Sequence, residues 1–586
     1  MAEPDGPAGS GPQGEPSGAG RAAASGPVPE AASGSGSGAG RAAASGPGPG
    51  PGVPTPDGRS GAGAPGALTR RALLVGVGAA GGAGAMFAAM GALGLAPDSQ
   101  DRAFAPPQRS DFSLTGRGAA KVVVLGAGVA GLTCAYELGK AGYDCTVLEA
   151  ADRVGGRNLT VRGGDRLTEL GGETQTAEFG PDVYFNAGPG RIAQWMVTMD
   201  YCRELGVPLE VFVNGNASGY VRTHAMDAPV RVRTARADMY GYIAELLAKA
   251  AGAGALDRRL TKEDRERLTE FLRRFGDLGP DLTYRGSARR GFTVHPGTGS
   301  GEPLPGPPSL SEVLAAGTGR ALTADFGFEQ AMPMFQPVGG MDAIVRALAR
   351  EVGEARILTG APVTGVRNLP DGVEVTYSGG PGGSGGAVRA DYCVATLPPH
   401  VLARVPHNLG AAITAALRTP TPVAAGKLGL EYGRRWWETD DRIYGGITET
   451  DLDITHIWYP SHGYHGRTGL LVGYYNTGAE AQLYGSLTHP ERQARALTQG
   501  KKIHGEKYRA ELRSSVSVAW HRRPHVEGGW AVWPSYGGEF TVLQQPAGRV
   551  HFAGDWLTHL VAWQAGAMES ARKAVTALHQ RVLATS

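Results

Sequence analysis

The sequence predicts an α/β chain in which a Rossmann-like domain is interwoven with an α+β domain and carries a helical insertion. Three observations predict it. A short apolar run at 122–125 leads directly into a glycine-spaced turn and a helical pattern. A second strand-turn-helix pattern closes the chain from about 549 to 582. The length, 586 residues, exceeds what one compact core holds, so two or three interwoven domains are expected.

Val122, Val123, Val124 and Leu125 are continuous apolar residues, as in a strand buried on both faces. Gly126-Ala127-Gly128-Val129-Ala130-Gly131 follows at once and matches G-x-G-x-x-G. Gly126 permits the tight turn, Gly128 lets the backbone approach a pyrophosphate, and Gly131, next to Ala130, lets helix and strand pack closely. The helix to about Ala141 aims its free N–H groups and positive end at the phosphates. A second strand, Cys145 to Leu148, ends at Glu149, about 20 residues on, where a carboxylate accepts hydrogen bonds from a ribose. Strand, loop, helix, strand and acid in this order specify a dinucleotide site far better than the glycines alone.

Hydrophobic residues make up 41% and charged residues 19%, which suits a globular enzyme. The net charge of +2 and the absence of a long basic run give no reason to propose a nucleic-acid partner. Cys134, Cys145, Cys202 and Cys393 are scattered without paired spacing, so buried thiols are expected rather than a metal site or a disulfide framework.

Residues 1–68 are Gly, Pro, Ala and Ser with almost no large apolar side chains, and are expected to be disordered. Thr69-Arg70-Arg71-Ala72-Leu73-Leu74 and the weakly apolar stretch to about Ala96 read as a twin-arginine export signal within 69–105. Export of folded cargo by that translocase would suit a protein that folds around a cofactor, and places the mature chain outside the cytoplasm.

Beyond Glu149 and Ala150, the run Ala151-Asp152-Arg153-Val154-Gly155-Gly156-Arg157 resembles the second glycine motif of the flavin amine oxidase superfamily. Phe552-Ala553-Gly554-Asp555, with Asp where most relatives have Glu, and Ala562-Trp563-Gln564-Ala565-Gly566 resemble its C-terminal motifs. Gln336 to Asp342 and Ala390 to Pro398 resemble its central segments. The resemblance covers about 120 to 580 and extends to secreted bacterial FAD-dependent L-amino-acid oxidases. It implies FAD in a p-hydroxybenzoate-hydroxylase-like (glutathione-reductase type 2) domain. Gly126, Gly128, Ala130, Gly131, Glu149, Ala150, Arg153, Gly155, Gly156 and Arg157 would contact it, with Pro189, Gly190, Arg191 and Val363, then Gly554, Asp555, Trp563 and Ala565. Trp530 follows Gly528-Gly529 where covalent relatives place a cysteine, so the FAD is expected to be non-covalent.

The implied domains are FAD-binding over 118–195, 335–400 and 541–586, substrate-binding over 196–235 and 401–540, and a helical insertion over 236–334. Helices are expected there at Tyr240 to Ala250 and Lys262 to Phe275.

Tyr184-Phe185-Asn186-Ala187-Gly188-Pro189-Gly190-Arg191 resembles the oxidase segment whose arginine grips the substrate carboxylate. A guanidinium fork matches a carboxylate in two parallel hydrogen bonds. Ile457-Trp458-Tyr459-Pro460 resembles a segment with a second carboxylate donor, here Tyr459. Lys427, flanked by apolar residues, matches the lysine beside the flavin that aids reaction with dioxygen, and Trp530 and Trp563 match the aromatic walls. The implied reaction is oxidation of an L-amino acid by dioxygen to a 2-oxo acid, ammonia and hydrogen peroxide, in a homodimer. An amine or polyamine oxidase, an amino-acid 2-monooxygenase and a non-catalytic flavin-binding protein are the alternatives. No metal is expected, and no general base is identified.

Overall fold

In the computed structural model, residues 112–585 are described, apart from 173 and 381. The disordered leader expected over 1–68 and the export signal expected over 69–105 lie outside the described residues. Two sheets organise the chain. The first is parallel and five-stranded, in the order β7-β2-β1-β8-β14. Its strands are β1 (Lys121–Leu125), β2 (Asp144–Leu148), β7 (Ile357–Leu358), β8 (Tyr392–Ala395) and β14 (Val550–Phe552). Four of the five residues of β1 are buried, as its unbroken apolar run requires for a central strand covered on both faces.

Helix α1 (Val129–Lys140) leaves β1 through the glycine turn and packs against α5 (Gln564–Thr585). On α5, Ala571, Val575, Leu578 and Val582 recur at helical spacing and are all buried in one core with α1 and α4 (Ala343–Val352). The opposite face of the sheet meets a second core, in which Val123, Leu125 and Cys393 pack against Val373 and Val375 of the hairpin after Pro370-Asp371-Gly372. All four cysteines are buried free thiols; burial pushes Cys145 up to about 12. Among the described residues no His/Cys/Asp/Glu group could hold a metal, and no helix is long and apolar enough to cross a membrane.

The second sheet has seven strands, in the order β13-β9-β12-β11-β10-β4-β5. They are β4 (Tyr220–Arg222), β5 (Val230–Arg231), β9 (Ala425–Tyr432), β10 (Gly446–Thr450), β11 (His456–Tyr459), β12 (Gly469–Thr477) and β13 (Leu512–Ala519). All pairings are antiparallel except β10 with β4. Every residue of β9 is buried, so a lysine at its Lys427 needs polar partners from the fold. Beyond β5 lie α2 (Val232–Gly252) and α3 (Lys262–Phe275). The first begins eight residues before the periodicity suggests. Thr234 and Asp238, polar residues that periodicity discounts, are buried there, and Thr234 Oγ1 donates to the Arg290 carbonyl at 2.7 Å while Arg290 pairs with Asp238 at 2.7 Å. The second helix is fixed by a capping box of Thr261 and Asp264.

Candidate functional site: a dinucleotide cradle beside a two-cation indole

A cavity opens at the carboxyl ends of β1, β2 and β8, is lined by the glycine turn, and reaches Ala425 and Lys427 of the seven-stranded sheet. Gly126 turns the chain at φ +96°. A Cβ on Gly131 would stand 1.9 Å from the Gly126 carbonyl oxygen, so only glycine lets α1 pass this close; Gly131 packs and does not line the cavity. Gly128 and Ala130 do line it, and a Cβ on Gly128 would meet no protein atom within 4 Å. That room faces the cavity, as a backbone approached by a phosphate requires.

Glu149 and Ala150 form the next part of the wall. The Glu149 carboxylate accepts from Ala127 N at 2.7 Å and Ala151 N at 2.9 Å, tying the acid to the glycine turn, and burial raises its pKa despite those bonds. Gly155 and Gly156, at φ +103° and +55°, bend the following loop along the cavity. Arg153 braces that loop by donating to the Gly156 carbonyl at 2.7 Å. Arg157 reaches across the fold to donate to Gly529 O at 2.8 Å and to pair with Asp555, whose Oδ2 also accepts from Ala562 N at 3.0 Å. Pro189, Val363, Gly554, Trp530 and Trp563 complete the lining from five different segments.

The chemistry of this lining fits a flavin dinucleotide. Asn158, 2% exposed, lines the cavity with both amide atoms buried and without a hydrogen-bond partner. Gln564 Nε2, at the first turn of α5, is likewise buried and unpaired. Unpaired buried amides are costly unless a ligand satisfies them. Neither residue carries a sequence signal beyond its neighbours' motifs.

At the far end, Lys427 Nζ donates to the carbonyls of Asn186 at 3.3 Å and Gly188 at 2.5 Å. It lies 4.6 Å from the Trp458 ring centre and 4.8 Å from that of Tyr475, its cross-strand partner on β12. Burial, reinforced by Arg191, lowers the lysine to about 7. The Arg191 guanidinium stacks 4.8 Å from the same Trp458 ring, and its Nη1 is buried without a partner. Gly190 and Arg191 are not among the residues that line this cavity: a Cβ on Gly190 would come within 2.8 Å of Trp458, and Gly190 and Trp458 border a smaller cavity beside it. Ala565 is 1% exposed and belongs to the α1–α5 core, so the cofactor face of this helix start is Trp563 and Gln564.

Tyr459 does not serve as the second carboxylate donor. Successive residues of a strand face opposite sides. On β11, His456 turns to the Tyr475 carbonyl and Trp458 to Arg191 and Lys427, which puts Ile457 and Tyr459 into the opposite core. Tyr459 is 1% exposed, and its hydroxyl is shared with Thr448 Oγ1 at 2.8 Å and His504 Nε2 at 2.7 Å, with Asp441 behind His504. It has nothing left for a substrate. Tyr475 lines the cavity and is visible only from strand pairing, while Trp458 carries Arg191 and Lys427 on its ring beside it. Tyr459→Phe is therefore expected to leave kcat/KM unchanged and to cost about 1–3 kcal/mol of stability by unpairing buried groups. Denaturant unfolding beside steady-state kinetics checks this, and a selective loss of kcat/KM would restore Tyr459 to the site.

His456 lacks the free nitrogen a base needs. Nδ1 meets the Tyr475 carbonyl at 2.9 Å and Nε2 meets Glu449 at 3.0 Å. Burial disfavours the charged ring, but Glu449 and that carbonyl outweigh it and raise the pKa.

Fold and cradle together define a flavin-dependent oxidoreductase of mixed α/β architecture. The chain belongs to the flavin-containing amine oxidoreductase family, whose model matches residues 129–579, and its cofactor is FAD. It is 26% identical over 478 residues, 77% of this chain and 92% of the relative, to YobN of Bacillus subtilis (strain 168), provisionally named an L-amino-acid oxidase. It is 25% identical over 472 residues, 79% of this chain and 86% of the relative, to the L-amino-acid oxidase of Siganus canaliculatus. Among solved structures, cyclohexylamine oxidase from Brevibacterium oxydans IH-35A shares the fold with TM-score 0.54 at 17% identity, over 79% of this chain and 99% of that one.

Proposed function

We propose that this chain is an FAD-dependent L-amino-acid oxidase that forms the 2-oxo acid, ammonia and hydrogen peroxide. The observation that carries the reading is the buried, unpaired Nη1 of Arg191, set on the Trp458 ring that Lys427 shares. A guanidinium without an acid partner in a desolvated site is suited to an incoming carboxylate, which a simple amine lacks. The names of the two sequence relatives support the same reading.

Arg191 would hold the carboxylate, and Trp530 and Trp563 would flank the amine. Bound FAD supplies the hydride acceptor and passes the electrons to dioxygen. Lys427 would hold a water or a proton on the FAD side of the site. Positioning of this kind accounts for much of the rate in such reactions. We further propose non-covalent FAD, a p-hydroxybenzoate-hydroxylase-like FAD domain drawn from 118–195, 335–400 and 541–586, a substrate domain from 196–235 and 401–540, and the helical insertion at 236–334. Export by the twin-arginine route and a homodimer belong to the same proposal.

The test is peroxide release by the FAD-loaded protein on paired substrates, L-phenylalanine against phenethylamine, across a panel of side chains. Peroxide and 2-oxo acid from the amino acids alone is the expected result. Peroxide from the amines alone would overturn the reading in favour of an amine oxidase, and amide with carbon dioxide would make the chain a monooxygenase. Acid precipitation should release the flavin into the supernatant, whereas flavin retained in the pellet would mean a covalent bond.

A further inference from the structure

Arg191 and Lys427 are drawn to one indole, at 4.8 Å and 4.6 Å from the Trp458 centre, so the two groups lie no farther apart than the sum of those distances. No carboxylate pairs with Lys427 among the described residues; both its hydrogen bonds go to main-chain carbonyls. Lys427 is 3% exposed, and water screens little between the two groups. Tyr475 on β12 lies under Lys427, and its phenol is held neutral because burial raises its pKa. From β10 and β11, Glu449 and His456 are paired with each other at 3.0 Å. Glu329 faces Arg191 at longer range.

Two like charges this close in a dry site oppose each other, and the arginine cannot give up its own. The lysine is the partner that yields. A carboxylate on Arg191 would cancel the repulsion and restore the charge on Lys427. We propose that the site binds a carboxylate together with one proton: the anion goes to Arg191, and Lys427 Nζ takes a proton from solvent to become an ammonium. The inference rests on the reading of Arg191 as the carboxylate anchor. It implies that substrate and 2-oxo acid product each hold Lys427 charged while bound, and that the proton leaves with the product.

Linkage fixes the sign. The unliganded lysine is lowered to about 7 by burial and by Arg191, and a bound anion raises it. Carboxylate affinity is therefore highest below that value and falls as pH rises through it, until the lysine is neutral in both states. At this separation the span is on the order of tenfold in Kd.

The experiment uses the FAD-loaded enzyme and benzoate, a carboxylate with no amine to titrate or oxidise, with Kd read from the perturbed flavin spectrum between about pH 6 and 9. The expected result is a Kd rising about tenfold in wild type, a flat profile near the high-pH value in Lys427→Met, and a retained rise in His456→Asn. A flat wild-type profile, or the same rise in Lys427→Met, would overturn the proton coupling while leaving the carboxylate anchor intact. Benzoate binding to Arg191→Met with wild-type Kd, or no binding to wild type, would instead overturn the reading of Arg191 on which the coupling rests.

Discussion

Arg191→Met is expected to lower kcat/KM for L-amino acids by about 30- to 5,000-fold, with flavin content unchanged. The range follows from removing one partner of a desolvated, hydrogen-bonded charge pair, which costs about 2–5 kcal/mol. Methionine keeps an apolar stem against Trp458, so the lost element is the fork and its charge. The guanidinium makes no ion pair among the described residues and its Nη1 is unpaired, so removing it breaks no internal bridge that Nη1 makes. Burial lowers the arginine's pKa, the signature of a cation held out of water without a counter-ion, and its removal is expected to stabilise the unliganded fold slightly. Steady-state kinetics and a thermal melt check both halves. A variant that keeps wild-type kcat/KM would remove the carboxylate anchor from the site.

The second large effect separates the two glycines of the turn. Gly128 has φ −73°, an ordinary value for any residue, and open space where a Cβ would sit. Gly128→Val is expected to fold like the wild-type apoprotein and to retain no FAD, because its side chain fills the room where the dinucleotide's backbone contacts form. Gly131→Val should fail differently. Its Cβ would stand 1.9 Å from the Gly126 carbonyl and 2.9 Å from Thr396 Oγ1, so the helix must leave the strand. Overpacking of this kind costs about 1–3 kcal/mol or more, so both stability and FAD should fall. Flavin absorbance per protein and melting of the two apoproteins distinguish them. A Gly128→Val protein that purifies yellow would mean the cofactor does not approach that backbone.

The chemistry at the two ends of the cavity was legible to different degrees. The cradle was readable because its parts are local: a strand, a turn and a helix that must sit in contact can be recognised from spacing alone. Arg153, Gly155, Gly156 and Arg157 follow in the same stretch, and the structure sets the loop they form along the same wall. Asp555 is 398 residues from Arg157, yet its motif identified it, and only the fold revealed that the two form a pair. Tyr459 shows where motif reading stops. A motif marks the segment around it, but the choice between Trp458 and Tyr459 is a choice of strand face, and a one-residue step reverses it.

The sequence by itself determined the dinucleotide unit, the C-terminal helix with its buried stripe, and the family, because each depends on short-range periodicity or contiguous motifs. The tertiary structure alone decided that Lys427, Trp458, Tyr475 and Arg191 meet. Those residues come from three strands and a loop, and their contact is fixed by the β9–β12 register and by the face of β11 that carries Trp458 to Lys427 and Arg191. Such distances depend on long-range pairing, which no local pattern encodes. The lysine's lowered pKa and the arginine's unpaired nitrogen follow from that burial and not from the residues that flank them.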